Sequence, residues 1–345
     1  MTDTTSGRPD LTTRYLGFEL RSPLVASASP LTGSVEGLQR LADAGAAALV
    51  MPSLFEEQLV HDQVQIQAYL DTGAESFGEA QTVVPELIDY NTGPERYLGV
   101  LAEARERVSV PLIASLNGTT LGGWARYAHQ CEQAGADALE LNVYLLASDP
   151  SESAAVVEDR YVELVETVVS SVGIPVAVKL APYFTSFGHL ARRLADAGAQ
   201  ALVLFNRFTR LDVELEKLEI ELPIDLSTPA ALGLPLRWTG ILFGEVDAEL
   251  AVSGGVHSGC DAAKALLVGA DVAMMTSAVL QRGESAFAEV EDELSTWLTE
   301  NDYESVAQLR GSMSRARVPD PSVYARANYL RSLIHYAGRY RPTPT

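Results

Sequence analysis

The sequence predicts an α/β chain folded as a (β/α)8 TIM barrel, with long loops after the second and sixth strands. Three observations carry that prediction. First, one junction recurs: Leu41-Ala-Asp-Ala-Gly-Ala-Ala-Ala-Leu-Val50 is echoed by Leu194-Ala-Asp-Ala-Gly-Ala-Gln-Ala-Leu-Val203, by Glu132-Gln-Ala-Gly-Ala-Asp-Ala-Leu-Glu-Leu141 and, more loosely, by Leu267-Val-Gly-Ala-Asp-Val-Ala-Met274. Each copy reads as a helix that stops on glycine, turns tightly and enters a buried strand. Glycine supplies the left-handed backbone of the helix stop. Second, Val108-Ser-Val-Pro-Leu-Ile-Ala-Ser115 resembles Val172-Gly-Ile-Pro-Val-Ala-Val-Lys179. In both, proline opens a strand at a position where a missing N–H is tolerated. Third, eight apolar runs of strand length alternate with stretches of helical period.

Taken in order, the strands fall at 24–28, 48–51, 112–116, 138–143, 176–180, 201–205, 250–252 and 272–275. The helices between them fall at 35–44, 123–134, 159–171, 187–197 and 260–267. Short, continuously apolar strands separated by helices make a parallel sheet buried on both faces, and eight such units close into a barrel. An open doubly wound sheet would carry an early Gly-x-Gly-x-x-Gly phosphate turn, which is absent. Two connections exceed what a plain barrel needs, 53–110 and 206–249. Both leave from the C-terminal ends of strands, the face where barrel active sites lie. The tail from 303 to 339 reads as one or two further helices. The whole chain reads as a single domain, with a barrel core at about 20–285 and C-terminal helices at about 286–340.

Composition narrows the function. The 345 residues include 25 Lys+Arg against 46 Asp+Glu, a net charge of −21. A surface this acidic excludes nucleic acid as a bulk partner, because phosphate recognition needs a basic stripe. It also disfavours an anionic membrane surface. No run of about 18 apolar residues is present to span a bilayer, and residues 1–13 lack the apolar core of a signal peptide. The two cysteines, Cys131 and Cys260, form neither a disulfide framework nor a metal-ligand pattern. A reducing cytoplasm is the expected location, and both cysteines are expected to be small packing residues.

The residues just past each strand form a polar set: Ser27 and Ser29, Ser53, Asn117, Asn142, Lys179, Asn206, Ser253-Gly254-Gly255 and Thr276-Ser277. Eight strand ends of a barrel converge on one mouth, so these groups are candidates for a single site. Lys179 is the sharpest of them, because a lysine within the apolar run Pro-Val-Ala-Val-Lys-Leu-Ala-Pro is costly unless paired. It fits two chemistries, the Schiff-base lysine of an aldolase or lyase and a lysine that hydrogen-bonds a cofactor ring. The turn Ser253-Gly-Gly-Val-His-Ser-Gly-Cys-Asp261, with Thr276-Ser277 one strand on, has the make-up of a phosphate site after strands seven and eight. FMN or a phosphosugar would fit it. His257 lies in that turn. The acidic stretch 212–221 reads as a solvated face of the second long loop.

These residues also carry a resemblance. Thr12-Thr-Arg-Tyr-Leu-Gly-Phe-Glu-Leu-Arg-Ser-Pro-Leu-Val25, Pro175-Val-Ala-Val-Lys-Leu-Ala-Pro-Tyr-Phe184, Ser253-Gly-Gly-Val256, Thr276-Ser-Ala278 and Asp302-Tyr-Glu-Ser-Val-Ala307 resemble the dihydroorotate dehydrogenases, most closely the soluble class 1 type. The likeness runs from about Thr12 to Met313. It implies FMN as cofactor, a CH–CH oxidoreductase of pyrimidine biosynthesis, a homodimer, and hydride transfer between substrate and flavin N5. By the same resemblance Lys179, Asn117 and Asn142, with Ser27 and Ser53, contact the flavin. The glycines and hydroxyls at 253–255 and 276–277 hold its phosphate, and Asn91, Asn206 and Thr209 face the substrate.

The departures fall on the chemistry. Where the family has Asn-x-Ser-Cys-Pro-Asn, this chain has Asn142-Val-Tyr-Leu-Leu-Ala147, so Leu145 stands at the base and Ala147 at an orotate-binding asparagine. Where the family has Thr-Lys-Ser, this chain has Met51-Pro52-Ser53, and the lysine is gone. Tyr144 is the nearest titratable replacement, but a phenol ordinarily titrates near pH ~10 and is a poor base. The flavin half is kept and the orotate half is rebuilt, so dihydroorotate itself is a doubtful substrate. A flavin-binding subunit of weak activity is a further reading, and the electron acceptor is left open.

Overall fold

The computed structural model describes residues 8–55, 94–117, 121–207, 209–223, 225–325, 329 and 333–334. An antiparallel hairpin, β1 (Thr13–Tyr15) and β2 (Phe18–Leu20), precedes the first barrel strand β3 (Leu24–Ala26). Then come α1 (Val35–Asp43), β4 (Ala48–Phe55), α2 (Pro94–Arg107), β5 (Leu112–Asn117), α3 (Leu121–Gln133), β6 (Ala138–Asn142), α4 (Ala154–Ser171), β7 (Val176–Leu180), α5 (Phe187–Asp196) and β8 (Ala201–Leu204). A second hairpin, β9 (Asp212–Glu214) and β10 (Glu219–Glu221), interrupts the barrel before α6 (Gly233–Leu242). The chain continues through β11 (Glu249–Ser253), α7 (Gly259–Val268), β12 (Val272–Met275), α8 (Ser277–Arg282), α9 (Ala286–Glu300) and α10 (Val306–Leu309). Strands β3 to β8, β11 and β12 pair in parallel and close as one eight-stranded barrel. All eight predicted strand runs form these barrel strands.

The recurring junction does the same physical work four times. Gly45, Gly135, Gly198 and Gly269 all have positive φ. The next N–H in each copy reaches back to a carbonyl of the helix: Ala46 to Leu41, Ala136 to Cys131, Ala199 to Leu194 and Ala270 to Ala265, all at 3.0 Å. The following residue then donates to the start of the preceding strand, Ala47 to Leu24, Asp137 to Leu112, Gln200 to Val176 and Asp271 to Leu250. Where that residue is aspartate, its carboxylate also accepts the first N–H of the neighbouring strand. Asp137 takes Leu112 N–H and Asp271 takes Leu250 N–H, each at 2.8 Å. Arg105 and Arg310 pair with the two carboxylates.

Strand alternation separates two cores. Leu49, Leu112, Leu139, Val178, Leu202, Val252 and their like face the helices. Val25, Val50, Ile113, Ala138, Ala177, Val203, Ala251 and Met274 face inward, and Tyr15, Leu16 and Leu20 of the first hairpin close the bottom of that interior. Small inward residues leave room for the aromatic plug. Strand β4 runs on to Phe55, beyond the predicted end at 51, because a register shift between Val50 and Ser53 absorbs Pro52.

Both long connections carry structure that the apolar pattern did not mark. The first ends in α2, and the second contains β9, β10 and α6. The acidic stretch 212–221 is this hairpin rather than a featureless loop face. In the tail, α10 is one short helix capped by Ser305. Among the described residues no helix is long and apolar enough to cross a membrane.

Candidate active site

The two-residue period that builds the barrel also builds its mouth. On β5 the inward positions are Ile113, then Ser115, then Asn117. On β6 they are Ala138, Glu140 and Asn142, and on β7 they are Ala177 and Lys179. The interior therefore passes from an apolar floor to a polar layer at the C-terminal ends of the strands. In that layer Ser53 Oγ lies 2.8 Å from Ser115 Oγ, Asn142 Nδ2 donates to Ser53 Oγ at 3.2 Å, and Asn206 Nδ2 donates to Asn142 Oδ1 at 2.7 Å. Tyr97 of α2 anchors the chain: its hydroxyl accepts the Ser115 N–H at 2.9 Å. Burial pushes the Tyr97 phenol well above its ordinary range, which keeps it a neutral strut.

Lys179 is 7% exposed and does have a partner. Its Nζ donates to Glu140 Oε1 at 3.3 Å and to Ser27 Oγ at 3.4 Å. Glu140, 1% exposed, has its second carboxylate oxygen buried with no hydrogen-bond partner. Neither Glu140 nor Tyr97 was singled out from the sequence. An acidic residue inside the apolar run Ala-Leu-Glu-Leu was the available signal for Glu140, since its parity places it inside the barrel.

The phosphate candidates also meet. Gly254 and Gly255 both have positive φ, and a side chain at Gly255 would lie 2.5 Å from the Leu232 backbone nitrogen. Ser227, another residue missed in the sequence, links the two turns. Its Oγ accepts from Gly255 N–H at 3.3 Å and lies 2.9 Å from Ser277 Oγ. The N-terminus of α7 is closed instead of open: Gly259 N–H donates to Glu293 at 2.6 Å, and Ser258 and Asp261 cap each other. The His257 N–H donates to Asp261, and its ring Nε2 is buried without a partner.

The substrate-side candidates divide. Tyr144 and Thr209 meet, with the phenol donating to Thr209 Oγ1 at 3.3 Å and accepting the Thr209 N–H at 3.2 Å. Leu145 turns to the helix layer and, with Val143, Tyr161 and Leu164, lines a cavity of about 420 Å³. Asn91 lies outside the described residues. Cys260, expected to be buried, is exposed on the first turn of α7, because that helix turns Gly259, Ala262, Ala263 and Leu266 inward. A larger cavity of about 680 Å³, lined by Arg14, Glu249, Asp271 and Arg310, sits at the N-terminal ends of the strands, away from these groups.

A family model described as Dihydroorotate dehydrogenase matches residues 89–298, more than half of the chain. The chain belongs to the dihydroorotate dehydrogenase family. The match extends from the segment leading into α2 nearly to the end of α9, so it takes in the polar mouth and both phosphate turns. Named relatives are distant but nearly full-length. The dihydroorotate dehydrogenase B (NAD(+)) catalytic subunit of Geobacter sp. strain M21 is 24% identical, over 89% of this chain and 99% of that protein. Its counterpart from Methanocaldococcus jannaschii is 26% identical over 84% and 94%. That from Desulforudis audaxviator is 29% identical over 65% and 75%.

Proposed function

We propose that the protein is an FMN-dependent oxidoreductase whose substrate is not dihydroorotate. The observation that carries the reading is the joint arrangement of a buried lysine with amide side chains at the barrel mouth, beside a Gly-Gly turn joined to Ser277. The donor set suits the group. Asn117, Asn142 and Lys179, with Ser27 and Ser53, would hold the ring. Ser253, the Gly254 and Gly255 N–H groups, Thr276, Ser277 and Ser227 would hold the phosphate, in a cradle that a Cβ at Gly255 would fill. FMN when bound supplies a hydride acceptor at N5. The chain's part is to orient the ring, exclude water and receive the substrate between Asn206, Thr209 and Tyr144. An aldolase role is disfavoured, because the Lys179 nitrogen is engaged by Glu140 and Ser27 instead of standing as a free amine.

The rebuilt half sets the substrate. Leu145 has no proton-accepting group, and it packs toward α4. Pro52 and Ala147 replace two further polar groups of the family pattern. Purified protein should show flavin absorption and release FMN on denaturation, and dihydroorotate should reduce that flavin slowly or not at all. Leu145→Cys alone should not restore rapid reduction, because positions 52 and 147 differ too. Colourless protein that cannot be loaded with FMN, or borohydride trapping of a carbonyl compound on Lys179, would overturn the flavin reading.

A homodimer is part of the same proposal. On the β9–β10 hairpin the cross-strand pairs put Val213 and Ile220 on one face and Asp212, Glu214, Glu219 and Glu221 on the other. Leu211, Leu215, Leu218 and Leu222 extend the apolar set, and all six apolar residues are exposed. They present on the order of 700 Å² of apolar surface, close to the ~800 Å² per partner of a standard interface. A second copy, meeting this face about a two-fold axis, would keep both acidic faces in water. Two free cysteines suit a reducing cytoplasm.

A further inference from the structure

The inner layer of the barrel mouth is arranged to carry no net positive charge. Among the described residues Lys179 is the only buried basic side chain. Its ammonium sits 3.3 Å from the Glu140 carboxylate, which is itself 1% exposed. Glu140 Oε2 has no partner, so the carboxylate is retained although half of its hydrogen-bonding capacity goes unused, a costly arrangement for a buried group. The residue at the family's second lysine position is Pro52. The long connection at 56–93 cannot replace it, because it contains no Lys or Arg and eight Asp or Glu.

Resting on the flavin reading above, we propose that Glu140 is a charge-compensating residue that cancels Lys179, keeping the flavin hard to reduce and directing the site to uncharged substrates over carboxylates. Two-electron reduction adds negative charge to the ring system, and a lone buried ammonium would favour it electrostatically. A carboxylate on the far side of that ammonium opposes it. The same cancellation withdraws the attraction that an anionic substrate would need. Glu140 acts through Lys179 and is therefore a positioning residue.

The test is a redox titration of the FMN-loaded protein against a reference dye, with orotate as a carboxylate probe read from the flavin spectrum. Glu140→Gln should move the reduced-to-oxidised ratio at a fixed potential at least tenfold toward reduced, about 30 mV for a two-electron couple. It should also tighten orotate binding at least tenfold. Lys179→Gln should move the ratio the other way, and the double variant should return near the wild type. If Glu140→Gln does not fold, Glu140→Asp, with a shorter reach, should give a smaller shift of the same sign. Bound FMN with an unchanged or lowered ratio in the Glu140 variants overturns the compensation alone. A wild-type chain that takes up no FMN overturns the flavin reading with it.

Discussion

At the scale of single residues, burial decides which groups are reactive. Cys131 lies inside α3 against the core, and burial pushes its thiol up to about 12. Cys260 is exposed on α7. Native protein should therefore take up one equivalent of a thiol reagent at pH 8, and denatured protein two. A Cys260→Ser variant should take up none while folded; rapid labelling of that variant would show that α3 opens far more readily than its packing implies. The same scale explains the altered chemistry of the mouth. Leu145 occupies a position where the family pattern carries a base, and its side chain is spent on packing beside Val143 and Leu164.

At the scale of elements, the repeated Ala-Gly-Ala junction is a device for seating one strand against the last. Two of its copies end in aspartate, and that carboxylate caps the neighbouring strand through Leu112 N–H or Leu250 N–H. Asp271 is 3% exposed and also pairs with Arg310. Asp271→Ala leaves the buried Leu250 N–H without its side-chain acceptor and should cost about 1–3 kcal/mol in denaturant unfolding. At the Gly198 stop the constraint is steric as well as torsional, since a Cβ there would lie 2.8 Å from Val169 Cγ1 at a φ of +98°. These junctions were legible in the sequence because all their parts lie within about ten residues of one another. Helix α2 and the β9–β10 hairpin were not. The first lacks a strong apolar stripe, and the second turns its apolar residues outward, so neither follows the pattern of a barrel element.

At the scale of the whole molecule, the acidic surface and the apolar hairpin face bear on assembly. Leu218 sits at the hairpin tip with positive φ and is 83% exposed. A bulky residue held in a left-handed turn and offered to solvent is costly on both counts. Sedimentation should show a dimer for the wild type and a monomer for Ile220→Asp, with secondary structure and FMN content unchanged. A wild type that stays monomeric at high micromolar concentration would remove the dimer while leaving the barrel and its mouth as described.

The sequence by itself determined the eight strands, the helix stops between them and the mouth on which the polar residues gather. Each depends on hydrophobic period and turn chemistry, which act over a few neighbours along the chain. It also marked Lys179 as a buried cation needing a partner, without marking which. The tertiary structure decided that the partner is Glu140, 39 residues earlier. It brought Ser227 between Gly255 and Ser277, set Glu293 across the start of α7, and turned Cys260 outward. Those pairings exist only once closure of the barrel brings distant strand ends into one layer, and a buried charge takes whichever opposite charge that closure places beside it.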